Sequence, residues 1–178
     1  MLTLGLSVGA FAQKEVEKVK TYLKANAAQY HLSNKDIDEM DISSAYLSPS
    51  TGWYHVYFVQ KYQAIEVYNG ILNTILVNEN VANVANTFVT DIASKIPAKI
   101  TLIPVSPTDA ISKAATSLKL PGNDANTQQV SINRLPNGQI EKAVYTNADL
   151  SKDNINVKLY WFPYDTLVGQ QMVSKINL

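Results

Sequence analysis

Cysteine is absent from this chain of 178 residues, which excludes disulfides, thiolate metal ligands and thiol nucleophiles together. Arginine is nearly absent, with Arg134 the single one, and fifteen basic side chains balance fifteen acidic ones. No broad positive field therefore exists to hold a phosphate backbone, and no nucleic-acid partner is expected. Histidine occurs only as His31 and His55. Zinc hydrolysis on a His-Glu-x-x-His helix needs two imidazoles one turn apart, and serine chemistry needs a base beside a Gly-x-Ser-x-Gly turn; neither pattern occurs. The seven glycines are scattered, so no phosphate-cradling loop forms. No apolar run reaches the ~18 residues that span a bilayer, so no transmembrane segment is expected.

What is present points first to export. Residues 1–12, MLTLGLSVGAFA, are uncharged and end in Ala10-Phe11-Ala12, the small-x-small pattern of a signal peptidase site, although the basic n-region is truncated. The expected mature product begins at Gln13 and is secreted or periplasmic. Hydrophobic residues make up 46% of the chain, which suits one domain or two small ones sharing a boundary.

Periodicity then sets out two lobes. Val16, Val19, Leu23, Ala27 and Tyr30 form one stripe of an amphipathic helix over 14–30. Ser33 followed by Asp36 reads as a capping box for a short helical turn. Strands are expected at 42–47, 53–60, 65–77 and 81–89, with turn chemistry at Pro49-Ser50-Thr51-Gly52. Asn69-Gly70 sits inside an apolar run that continues past it, which favours a bulge over a hairpin turn. Pro97, Pro104 and Pro107 mark a linker at 96–106, in which 100–105 could form a short edge strand. Ser106 as N-cap, Pro107 at the first helical position and Asp109 at the third open a helix whose buried stripe is Ile111, Ala114, Ala115 and Leu118, ended by Pro121-Gly122. Strands at 129–134, 140–146, 155–162 and 167–176 complete the chain, with a turn at Pro136-Asn137-Gly138. The expected fold class is α+β, in two small lobes that each lay a helix on an antiparallel sheet: 13–95 and 107–178.

The search for chemistry yields little. Asp36, Asp38, Glu39 and Asp41 form the densest acidic run, but a calcium loop needs a glycine and a closing glutamate in register, so the run reads as a solvated helix edge. Glu66, between Ile65 and Val67, could act as an acid or base, yet has no visible partner. A small hydrolase would need it to meet His55 in a cleft. The cluster Trp53, Tyr54, Tyr57, Phe58, Tyr62 and Tyr68 could stack on a sugar or peptide, although strand cores use the same residues.

The stretch HVYFVQKYQAIEVYNGILNTILVN, 55–78, resembles the propeptide motif of fungalysin/thermolysin precursors: an aromatic-Val-Gln strand, a Tyr-Gln turn and a Val-aromatic-Asn-Gly strand. Its elements here are Tyr57, Phe58, Gln60, Tyr62, Gln63, Val67, Tyr68, Asn69 and Gly70. Leu32 to Ile37, Ser48 to Gly52 and Asn86-Thr87-Phe88 are similar to the same propeptide, and Ser106-Pro107 with Asp109-Ala110 looks like the opening of the PepSY-type domain that follows it. The resemblance implies two cystatin-like/PepSY-like lobes, no catalytic residue, no cofactor and no metal in this chain. It also implies a role as inhibitor and folding chaperone of an exported zinc metallopeptidase, in cis or in trans. Family members usually carry glycine where this chain has Ala64, and alanine resists positive φ. The Asp-Gly turn expected after Val77 is also missing, leaving Asn78 or Asn80 to make it. The alternative is a secreted ligand-binding or cell-surface module that uses the aromatic sheet face; Trp53, Tyr57 and Tyr68 exposed together would favour it.

Overall fold

The computed structural model describes residues 6–96, 105–120, 124–168 and 171–177. The chain is α+β, with antiparallel sheets of four and three strands, a further two-stranded hairpin and a few helices. It divides into two compact units, one made of Met1–Pro97 with Trp161–Asn177, the other of Ala98–Tyr160. No described helix is long and apolar enough to cross a membrane.

In the first unit, α1 (Leu6–Ala25) runs unbroken past Ala12 and Gln13; residues 1–5 of the expected signal lie outside the described residues. Spacings of three and four return Val16, Val19 and Leu23 to one face, and all three are buried. The helix expected as far as Tyr30 stops earlier. Asn26 donates its side-chain amide to the Tyr22 carbonyl at 2.8 Å, and Ala27–Tyr30 forms a 3₁₀ turn instead. Such local side-chain bonds compete with helix continuation, which is why asparagine favours helix ends. The predicted capping box opens α2 (Asn34–Glu39): Ser33 Oγ accepts from the Asp36 amide, and the Asp36 carboxylate accepts from the Ser33 amide.

Strands β1 (Asp41–Leu47), β2 (Tyr54–Tyr62), β3 (Ile65–Val77) and β4 (Asn80–Asn86) form an antiparallel meander in chain order. Val56, Phe58, Leu72 and Leu76 point beneath α1 and join Leu32, Ile37, Met40 and Phe88 in one core. Fully burying each such side chain is worth about 1.5–3 kcal/mol, so this cluster anchors the unit. Two-residue turns join the strands at Gln63–Ala64 and Asn78–Glu79, with positive φ at all four residues (51°, 66°, 48° and 65°). Positive φ at both central positions is the hairpin geometry that matches strand twist, so Ala64 accepts an unfavourable backbone to keep the register. Of the two asparagines expected to make the second turn, Asn78 does so, followed by Glu79, while Asn80 opens β4. One-turn helix α3 (Ile92–Lys95) follows.

The second unit lays α4 (Pro107–Ser117) against β5 (Gln128–Arg134), β6 (Ile140–Thr146) and β7 (Ile155–Lys158), in that sheet order. Ser106 caps α4 by accepting from the Asp109 amide at 3.1 Å. Ile111 and Ala115 are buried, against Ala143 and Tyr145. Ala114 and Leu118, expected in the same stripe, are exposed, Leu118 to 70%. The helix ends at Ser117 and Lys119 takes φ 54°, so Leu118 leaves the helical face before it can bury. The expected linker strand at 100–105 (but for Val105) and the Pro121-Gly122 helix stop lie outside the described residues.

The expected strand over 155–162 is not continuous. Strand β7 ends at Lys158, and Trp161 begins a new run in the first unit, followed by the hairpin of β8 (Phe162–Val168) and β9 (Gln171–Asn177). The expected last strand, 167–176, is therefore two strands with a turn between them. Residues 161–177, placed by the sequence in the second lobe, group with the first unit.

Candidate functional site

The signature hairpin of β2 and β3 is built around a break in pairing. Its register passes from Val59↔Ile71 to Lys61↔Glu66, so Gln60 stands opposite the four residues 67–70. Asn69, at φ 58°, turns the backbone there, and the bulge foreseen at Asn69-Gly70 forms. Thr87 closes it from outside by donating to the Asn69 carbonyl at 2.7 Å and accepting from the Ile71 amide at 3.0 Å. Glycine is required beside it, because a Cβ at residue 70 would lie 2.9 Å from Gln60 Cβ and 3.1 Å from Val67 Cβ.

Gln60 is wholly buried and fully engaged. Its Oε1 accepts from the Val89 amide at 2.7 Å, while Nε2 donates to the Val89 carbonyl at 2.9 Å and to Asp36 Oδ1 at 3.3 Å. The side-chain amide thus copies a strand edge and pins the segment after β4 to the α2 capping box. Each unpaired buried group would cost about 1–3 kcal/mol, which explains why a glutamine with both ends satisfied can occupy this core.

The opposite face of the sheet carries a different cluster. Tyr46, His55 and Tyr57 lie nearly parallel, with ring centroids 5.1 Å (Tyr46–His55), 6.1 Å (Tyr46–Tyr57) and 6.3 Å (His55–Tyr57) apart. A hydrogen bond with Tyr46 pushes the Tyr57 hydroxyl pKa above the usual tyrosine range, with burial adding to it. Next to Tyr57 in the sheet, Asn73 holds a buried Oδ1 that has no hydrogen-bond partner. Thr74 faces the core, so Asn73 belongs to this outer face.

At the start of β3 sits Trp161, 2% exposed. Its indole Nε1 donates to the Tyr62 carbonyl at 2.8 Å, with the ring edge-on to Tyr62 at 5.8 Å. Its backbone amide donates to the Glu66 carbonyl, and the Tyr68 amide donates to its carbonyl, both at 2.8 Å. Tyr68 itself is 44% exposed and stacks on Phe162 at 5.2 Å.

The motif residues therefore divide by role. Phe58, Gln60, Val67 and Gly70 are core; Gln63 and Asn69 set backbone turns; Tyr57, Tyr62 and Tyr68 face three different neighbours. Trp53 and Tyr68 are exposed, but Tyr68 turns to Phe162, and the aromatic group beside Tyr57 is Tyr46 and His55. His55 and Glu66 stay apart, because Glu66 pairs with Lys61, six residues along β2, or about 20 Å at strand rise. The acidic run is paired on the surface: Asp38 with Lys24, Glu39 with Lys35 and Asp41 with Lys61, while Asp36 serves the cap. No group of three potential metal ligands occurs among the described residues.

The second unit holds a cavity of about 500 Å³ between the first turn of α4 and the sheet, walled by Pro107, Ala110, Ile140, Val157 and Leu159, with Arg134 and Glu141 also lining it. Sequence reasoning missed Trp161, Val89 and Tyr46 as partners. Only Pro163, which a continuous strand tolerates poorly, hinted at the change of course near Trp161. No protein-family model matches the chain, and no curated protein is significantly similar to it.

Proposed function

We propose that this chain is the non-catalytic propeptide region of an exported thermolysin-like or fungalysin-like zinc metallopeptidase, which it inhibits and helps to fold. In this reading the two units are cystatin-like and PepSY-like lobes, and the chain uses no cofactor of its own. What supports it is the hairpin of β2 and β3, where the motif residues act as one device: Gly70 admits Gln60, Gln60 holds Val89, and Asn69 supplies the bulge between them. A rigid sheet of this kind is what a partner surface requires, since ordering it on binding would cost affinity. The purified chain should slow peptide cleavage by a thermolysin-like enzyme in a concentration-dependent way and raise the yield of that enzyme on refolding. The absence of both effects over a wide concentration range would end the proposal.

The second reading, a secreted ligand-binding module, draws on the Tyr46, His55 and Tyr57 face and the unpartnered Asn73 oxygen within it. Parallel rings offer stacking area, and a buried lone acceptor favours a ligand that brings a donor. Replacing Tyr46 and Tyr57 by serine should then abolish retention on a carbohydrate or peptide array while leaving protease inhibition unchanged. Under the first reading, array retention is absent from the outset.

A further inference from the structure

In the second unit α4 buries Ile111 and Ala115, but at its first turn it presents only the small side chains of Pro107 and Ala110 to the sheet. About 500 Å³ is left between them and Ile140, Val157 and Leu159, inside the roughly 300–1,000 Å³ of clefts that hold small ligands. Aliphatic walls give water few hydrogen-bond partners, so this space favours an apolar occupant.

The charged side chains around the cleft define the rest of that occupant. Arg134, the single arginine of the chain, stands opposite Ile140 in the sheet register and lines the cleft. Its guanidinium donates to the Gly138 carbonyl at 2.8 Å, which fastens the side chain across the turn between β5 and β6. The residue is exposed, so the remaining donors of the fork are open to an incoming acceptor. Lys158, with its ammonium 4.7 Å from the Tyr160 ring centroid, adds a second positive charge against the single carboxylate of Glu141. Two cations against one anion favour a negative ligand, and the planar fork of arginine fits a carboxylate better than a lysine ammonium does.

We propose that this cleft binds a small amphipathic carboxylate of the fatty-acid class, its aliphatic chain between α4 and the sheet and its carboxylate on Arg134. The proposal does not rest on the propeptide reading, because the hairpin of β2 and β3 contributes no residue to the cleft.

The test titrates decanoate into the full chain by isothermal calorimetry, with decan-1-ol and decylammonium as neutral and cationic probes of equal length. Decanoate should bind saturably at one site, about threefold to tenfold tighter than decan-1-ol, and decylammonium should bind more weakly than either. Arg134→Gln should lower decanoate affinity by about the same threefold to tenfold and leave decan-1-ol unchanged. Ala110→Trp, which fills the cleft, should abolish binding of both. No saturable binding of decanoate, equal affinity for decanoate and either other probe, or unchanged decanoate affinity in Arg134→Gln overturns the proposal. Retained binding in an Ala110→Trp chain shown by circular dichroism to be folded overturns it as well. Should that variant fail to fold, Arg134→Gln decides, since its side chain lies at the surface.

Discussion

The two units solve the same packing problem with unequal means. In the first, α1 and the four-stranded sheet enclose a core whose described buried residues run from Val16 to Phe88, and a wholly buried glutamine ties three segments together. In the second, the described buried hydrophobics are Ile111, Ala115, Leu135, Ala143 and Tyr145, and a cavity opens beside the helix. Its polar anchor, Asn147, donates to the Thr127 hydroxyl before β5 and accepts from the Asp149 amide in the following turn. The difference teaches that a sheet needs more than a covering helix. Depth of core separates a unit able to present a rigid surface from one that opens first.

Both tryptophans, Trp53 and Trp161, belong to the first unit, so indole fluorescence follows that unit while far-ultraviolet circular dichroism follows both. The contrast therefore predicts non-coincident urea transitions, with the dichroism change beginning before the fluorescence change. Phe58→Ala should cost the first unit about 3–5 kcal/mol by fluorescence, whereas Ile111→Ala should cost the second only about 2 kcal/mol, since few described buried side chains surround it. Equal costs, or coincident transitions in the wild-type chain, would break the comparison.

Smaller effects sharpen it. Gln60→Leu keeps most of the volume but strips the Val89 amide and carbonyl of their partners, and should lower the fluorescence-detected stability by about 2–3 kcal/mol while the dichroism phase of the second unit stays in place. Ala64→Gly works in the other direction. Relief of positive φ, set against glycine's greater chain entropy, should raise the first unit's stability by about 0.5–1 kcal/mol, read as a later fluorescence midpoint.

The smallest effect is one of pH. The hydrogen bond from Lys18 holds the Glu79 carboxyl pKa below the usual carboxylate range, with nearby Lys14 and Lys18 charge adding to it. A pKa depressed in the folded state contributes stability above the unfolded value, which disappears as pH falls through the folded one. The partner effect on Lys18, raised chiefly by its bond to Glu79, is present below the ordinary lysine pKa and fades as pH rises through the folded value. Both groups meet solvent, so Glu79→Gln should flatten a slight acid-side dependence of the first unit's midpoint, and added salt should mask the difference.

Local chemistry was legible in the sequence and distant chemistry was not. Ser33 with Asp36, Ser106 with Pro107, and the bounds of β3 and β6 all follow from caps, prolines and alternation over a few residues. Gln60 is visible as a glutamine in an apolar strand, but its partner Val89 is 29 positions away and carries no mark of its own. The alternation Ile155, Val157, Leu159, Trp161 continues smoothly through the point where the chain changes unit. Strand periodicity records which side a residue faces, not which sheet it joins, so that change was invisible. Ala64 shows the converse: a residue unsuited to its backbone holds it because the strands on either side fix the register.

Trp161 also sets a clock on synthesis. Its indole bonds to a carbonyl 99 positions earlier in the chain, at Tyr62. At about 5–20 residues per second, roughly 5 to 20 seconds pass on the ribosome between the making of that carbonyl and the arrival of the indole that bonds to it. Throughout that interval the four-stranded sheet has to hold its hairpin without the indole, so the segment from Trp161 is the last part of the first unit to be laid down.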